Sequence, residues 1–169
     1  MAEIVNRQNV MTSRTARSLR GDYPHLHLIT TRWHDNDVYG HVNNVQYYAF
    51  FDTVVNQFLL KREVLDIAHG EVIGLVVETG CRYFAPIAFP DTVIAGLRVA
   101  RIGNSSVRYE IGLFRGETTD TIDVFASSEA EALAEGHFVH VYVDRLSRRP
   151  KSLPPKLREA LESIQRVLF

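Results

Sequence analysis

The chain has a single cysteine, Cys81, so no intrachain disulfide framework can form. That scarcity fits a reducing compartment and predicts a cytoplasmic setting. Cys81 lies in an apolar, strand-like stretch and reads as a small core residue, not a catalytic thiol. No apolar run approaches the roughly 18 residues needed to cross a bilayer, so no membrane span is expected. Neither sign of charge dominates. With 19 Lys and Arg against 20 Asp and Glu, the formal net charge of −1 gives no bulk electrostatic case for nucleic acid or an anionic membrane. His25, His27, His69, His137 and His140 show no metal-ligand spacing, and no metal is expected. Nothing repeats, and no segment is low in complexity.

What is present is enough for one domain: 169 residues, 46% of them hydrophobic. Residues 1–22 carry Arg7, Arg14, Arg17 and Arg20 among Ser, Thr, Asn and Gln, without an amphipathic face. They are expected to form a flexible tail, leaving 23–169 as a single domain.

His25 to Arg32 alternates polar and apolar residues, the pattern of a first strand. From Val45 onwards, Tyr47, Phe50, Phe51, Val54, Val55, Phe58 and Leu59 recur at helical spacing and predict one long helix with that face buried. Asn43 or Asn44 is the expected N-cap. Val72 to Val77 is a continuous apolar run, expected to be a strand buried on both faces and to extend through Phe84 until Pro86. Asp91 to Ile102, Val107 to Leu113 and Ala132 to Val143 alternate as strands. Gly103-Asn104-Ser105 forms a turn, and 116–121 a polar loop. Pro155 opens a final helix carrying Leu157, Leu161, Ile164 and Leu168. One long helix followed by hairpin-linked strands predicts an α+β fold with an antiparallel sheet wrapped around the helix.

The chemistry is concentrated in one stretch, Arg32-Trp33-His34-Asp35-Asn36-Asp37-Val38-Tyr39-Gly40-His41-Val42-Asn43-Asn44, with Tyr47 beyond it. Two carboxylates, a glycine turn, a histidine and two asparagines stand directly before the long helix. A carboxylate facing the amides of a helix start suits attack on an activated carbonyl. Asp37 is the candidate nucleophile or general base, set against a plain turn carboxylate. Asp35 reads as structural, holding the loop or pairing with Arg32. His41 either orients the reacting groups or makes a local hydrogen bond. Asn43 and Asn44 are caps that can also face a substrate. Tyr47 is chiefly a core residue with substrate contact second, and Asp52, on the helix, is the alternative carboxylate.

In order along the chain, the motif Arg32-Trp33-x-Asp35-x-Asp37-x-x-Gly40-His41-Val42-Asn43-Asn44-x-x-Tyr47 is followed by four further segments. These are Tyr83-Phe84-Ala85-Pro86, Arg101 to Ser106, Ala134-Glu135-Gly136 and Val141 to Arg145. The series resembles the hotdog-fold acyl-CoA thioesterases of the hydroxybenzoyl-CoA thioesterase-like group over about residues 25 to 160. The resemblance implies a hotdog fold with an added C-terminal helix, in a homodimer or homotetramer whose active site lies between subunits. It implies Asp37 as the catalytic carboxylate and the backbone N–H near Asn44 as the group polarising the thioester carbonyl. One branch of the family has histidine where this chain has Asn44.

Coenzyme A would be part of the substrate, and no separate cofactor is expected. Its phosphates call for donors, which Gly103, Ser105 and Ser106 offer beside Arg101 and Arg108. Arg145, Arg148, Arg149 and Lys151 form a second basic cluster. Two other functions stay open: a non-catalytic acyl-thioester binding protein, and a dehydratase or hydratase acting on an acyl thioester.

Overall fold

The computed structural model describes residues 16–116 and 128–166. The strands are β1 (His25–Thr30), β2 (Val72–Tyr83), β3 (Thr92–Ile102), β4 (Ser106–Gly116) and β5 (Ala134–Asp144). The helices are α1 (Asn44–Lys61) and α2 (Pro155–Glu162). All strand pairs are antiparallel, in the order β1-β3-β4-β5-β2. With α1 packed on one face, this is the hotdog arrangement with a C-terminal helix that the resemblance implies.

The seven apolar residues that recur in α1 are its buried face, with Phe51, Val54, Val55 and Phe58 fully enclosed. They pack on the alternating residues of the sheet: Val93, Ala95, Leu97 and Val99 of β3, then Val107, Tyr109, Ile111 and Leu113 of β4. Gly136 of β5 lets the helix lie this close. A Cβ there would collide with the Phe51 ring.

Four expectations are corrected. β1 stops at Thr30 because a single 3-10 turn, Trp33–Asp35, follows, with Asp35 itself buried. β2 is not buried on both faces. Among the described residues it is the last strand of the sheet, paired only with β5, and Leu75, Val76 and Val77 are 38%, 47% and 61% exposed. The tail does not extend to residue 22. Arg20 and Gly21 donate to the carbonyls of Ala130 and Ser128, and Tyr23 packs edge-on against Phe114 on the outer sheet face. The part of the tail before residue 16 lies outside the described residues. The last helix ends at Glu162, and Ile164 is buried just beyond it. Leu168 and the polar loop after Gly116 fall outside the described residues, while Gly116 itself closes β4.

The two edges of the sheet are treated differently. Beyond β1, the exposed side of β3 is covered by the C-terminal segment: the Val99 amide donates to Ile164 O at 2.9 Å and the Arg166 amide to Val99 O at 2.8 Å. β2 has no such cover among the described residues, although an open apolar edge is what folded chains usually protect.

Candidate active site

The motif loop is fixed at both ends before any chemistry is considered. Asp35 is 1% exposed, and its carboxylate accepts from the Arg32 amide at 2.7 Å and from Arg32 Nε and Nη2 at 3.1 and 2.9 Å. The Asp35 carbonyl accepts the Asn43 amide at 2.8 Å, joining the loop start to the helix cap. Asn36 Oδ1 accepts from the Phe89 amide, and Val42 N donates to Ile87 O at 2.7 Å. The loop is thereby clamped to the segment between β2 and β3, which carries a cis Phe89–Pro90 bond.

Between these anchors the chain makes a tight turn. The Asp37 amide donates to His41 O at 2.8 Å, and Gly40 N donates to Asp37 O at 3.1 Å. Gly40 has φ +80°, a conformation that glycine adopts without steric cost. Asp37 is a half-buried residue, and its Oδ1 accepts the Tyr39 amide at 2.8 Å in a solvent-exposed hydrogen bond. The turn reading and the functional reading of Asp37 are therefore compatible, since one oxygen orients the group. His41 is exposed, and among the described residues no side-chain hydrogen bond joins it to Asp37.

Asn43 is the cap: its Oδ1 accepts from Val45 N at 3.0 Å. Asn44 is the first helical residue, so its amide has no acceptor within the helix and faces out of the N-terminus. Tyr47 is 4% exposed and sits between Phe50 and Tyr83; burial raises its phenol pKa, opposed by a hydrogen bond from the Ile87 backbone. The core role of Tyr47 is thus visible, and its ring lies one turn from Asn44. Asp52 is exposed on the outer face of α1, with its pKa raised by partial burial.

The expected coenzyme A residues are elsewhere. β1 ends and β3 starts at the motif end of the sheet, Thr30 opposite Thr92, whereas Gly103 follows Ile102 at the far end of β3. Eleven strand residues separate the ends by about 33 Å. Within one chain the Gly103–Ser106 turn cannot meet Asp37. Its carbonyls serve the fold: Gly103 O accepts Arg158 Nη2, Asn104 O accepts the Leu153 amide, and Ser105 O accepts the Tyr142 amide. Arg101 is exposed. In the second basic cluster, Arg145 is engaged by the carbonyls of Gly70, Ile67 and Asp66, and Lys151 pairs with Glu71 and Asp144.

Ile87, which braces the loop, went unremarked in the sequence, and Asn36 and Tyr83 stood there only as members of motifs, because each acts through a contact distant along the chain. A cavity of about 680 Å³ on the outer sheet face holds the pairs Arg98–Glu110 and Arg82–Glu135 and includes no residue of the motif loop. Among the described residues, no group of three or more His, Cys, Asp or Glu is placed to hold a metal ion. Cys81 is half-buried, and burial raises its thiol pKa, which opposes a reactive thiolate.

Comparison with known proteins finds a family model described as the thioesterase-like superfamily matching residues 31–161. The PA5185 protein of Pseudomonas aeruginosa is 55% identical with a TM-score of 0.81, over 90% of this chain and 99% of that one. The PA2801 protein of the same organism is 27% identical with a TM-score of 0.70, over 82% and 98%. Slr0204, a 1,4-dihydroxy-2-naphthoyl-CoA thioesterase from Synechocystis, shares the fold at 16% identity and a TM-score of 0.67, over 80% and 93%. No curated protein matches the chain.

Proposed function

The chain belongs to the thioesterase-like superfamily and is a thioester hydrolase; from that premise we propose that it hydrolyses an acyl-CoA to a carboxylic acid and free coenzyme A. The observation that carries this is the placement of Asp37. Its carboxylate is oriented by the Tyr39 amide, on a loop joined through Asp35 and Asn43 to the amides of the α1 start.

As general base, Asp37 takes a proton from water while the oxygen attacks the thioester carbonyl carbon. The carbonyl oxygen becomes an oxyanion, and the Asn44 amide donates to it. The tetrahedral adduct collapses by breaking the C–S bond, and the departing sulfur takes the proton back from Asp37. As nucleophile, Asp37 instead forms an anhydride with the acyl group, expels the thiolate, and is released by water. His41 and Asn43 flank the reacting group in either case, and Tyr47 walls the acyl side. No separate cofactor takes part, since coenzyme A enters with the substrate.

The working unit we propose is a homodimer in which β2 pairs with its own copy, extending the sheet across a two-fold axis. The open apolar edge at Leu75, Val76 and Val77 supports this. Antiparallel self-pairing sets the Val72 end of one strand beside the Tyr83 end of the other. The partner's β3–β4 turn then comes to the end of the sheet where Asp37 lies. Arg101, Gly103, Ser105 and Ser106 can meet a coenzyme A phosphate only across this boundary. The lone cysteine supports a reducing, cytoplasmic setting. No helix among the described residues is long and apolar enough to cross a membrane.

A dehydratase would need a histidine paired with a carboxylate for proton transfer at carbon, and the exposed His41 side chain offers no such pair. Thiol release from a panel of acyl-CoAs tests the hydrolase reading. Tight acyl-CoA binding without release would replace it with a binding role.

A further inference from the structure

The hairpin that carries Asp37, residues 36–42, hangs from the segment 84–91 between β2 and β3 at two points. One is main chain, Val42 N to Ile87 O at 2.7 Å. The other is a side chain: Asn36 Oδ1 accepts the Phe89 amide at 3.0 Å, on the residue directly before Asp37. Asn36 and Val42 face each other as a β-bridge, so the two points hold the two legs of the hairpin. The Trp33 ring meets Phe89 edge-on beside them. A single neutral hydrogen bond adds only modestly to stability, so the bond at Asn36 matters for what it fixes in place.

Segment 84–91 is itself pinned from the other side. Ile87 is fully buried in the core. Asp91 gathers three elements. Its Oδ2 accepts the Ala88 amide at 3.1 Å, and its Oδ1 accepts Arg115 Nη1, from the end of β4, at 3.0 Å. The Asp91 carbonyl accepts Thr31 Oγ1, just past β1, at 2.6 Å. Arg115 Nη2 also donates to Pro86 O at 3.3 Å. The guanidinium therefore bridges the segment from Pro86 near its start to Asp91 at its end. Among the described residues, no hydrogen bond or ion pair joins Arg115 to the motif loop. Its hold on Asp37 passes through Phe89 and Asn36.

We propose that Arg115 and Asn36 are positioning residues for the reaction: Arg115 fixes the segment, and Asn36 passes its place on to the Asp37 carboxylate. The assignment rests on the thioesterase reading above and adds two residues that act through others, not on the substrate. A general base or nucleophile must meet its target at a defined distance, and a displacement of about 1 Å can cost about a hundredfold in rate. Cutting the Asn36 bond leaves the hairpin one main-chain tie to segment 84–91, at Val42, and lets the Asn36 leg shift with Asp37 on it. Ground-state binding of the acyl-CoA does not depend on that leg, so kcat is the parameter that moves.

The test is a kinetic cycle on the full chain. Asn36→Ala should lower kcat by about ten- to a hundredfold, with KM within about twofold of wild type. Asn36→Asp keeps an acceptor for the Phe89 amide. At about pH 8, where both carboxylates are ionised, it should restore kcat to within about threefold. Arg115→Ala should lower kcat as well, and the Asn36→Ala, Arg115→Ala double variant should fall no further than the worse single, because both cut one path. A second readout needs no turnover: hydrogen exchange of the Asp37 amide, which is bonded to His41 O. It should quicken about two- to tenfold in both single variants, while the Asn43 amide, bonded to Asp35 O, keeps its rate. Full kcat in Asn36→Ala, unchanged Asp37 exchange in that variant, or losses that multiply in the double variant would overturn the proposal. No thiol release by wild type, or turnover surviving Asp37→Ala, would refute the reading above alone. The exchange rates would then still decide whether Arg115 and Asn36 hold the loop.

Discussion

The Tyr83 ring meets Tyr47 edge to face with centroids 4.9 Å apart, so the open edge strand β2 is tied directly to the first turn of α1. Whatever pairs with β2 is felt at the helix start. A dimer formed along this edge therefore couples association to catalysis. Val76→Lys is expected to weaken the dimer, seen as a fall in mass by light scattering at micromolar concentration. Thiol release should fall in parallel, recovering as protein concentration is raised. A variant that is monomeric and fully active would separate the edge from the site.

The Asn44 amide can be removed without breaking the helix. Proline is well accommodated at the first helical position, and Asn43, with ψ 138°, has the backbone that a residue before proline requires. Asn44→Pro should lower kcat by about a hundredfold or more, the range found when one oxyanion donor is lost. Asn44→Ala, which keeps the amide and loses the side chain, should stay within about tenfold of wild type. Circular dichroism should report an intact helix in both.

Asp35 holds the loop that carries Asp37. Asp35→Ala strips a buried carboxylate from the Arg32 amide and guanidinium and should cost about 2–3 kcal/mol, read from the urea midpoint. Because Arg32 is largely exposed, it is not left stranded as a buried charge. Arg32→Ala should therefore cost less than Asp35→Ala.

His140 also sets an acid limit on stability. Its folded pKa is lowered from 6.5 to about 4 by burial, so between those values the unfolded chain binds more protons. Its contribution is intact above pH 6.5, declines as pH falls towards 4, and changes no further below that. The loss across the window is about 3 kcal/mol. His140→Leu should flatten the stability–pH curve there. His25, lowered the same way to about 4, should leave a residual slope. An unchanged curve would mean that His140 is charged in the folded chain.

The helix and its buried face were legible in the sequence because a 3.6-residue period with seven large apolar residues admits one orientation. The geometry of the loop was legible because Asp35, Asp37, Gly40 and Asn43 all make contacts within a few residues of one another. β2 misled because an apolar run records burial without saying against what. Val72 to Val77 is the same whether another strand of the chain covers it or a second copy does. Gly103 to Ser106 read as a phosphate cradle from its donors, but its distance from Asp37 is set by the length of β3, which no local pattern announces. His140 alternates with Phe138 and Tyr142 on the core face of β5, where an imidazole is out of place.

The central claim is that the Asp37 carboxylate drives hydrolysis, and thiol release from a panel of acyl-CoAs by wild type and Asp37→Ala tests it most directly. Turnover in wild type and a fall of about a hundredfold or more in the folded variant is the predicted result. Turnover that survives Asp37→Ala would contradict the account and move the chemistry to Asp52 on the outer face of α1.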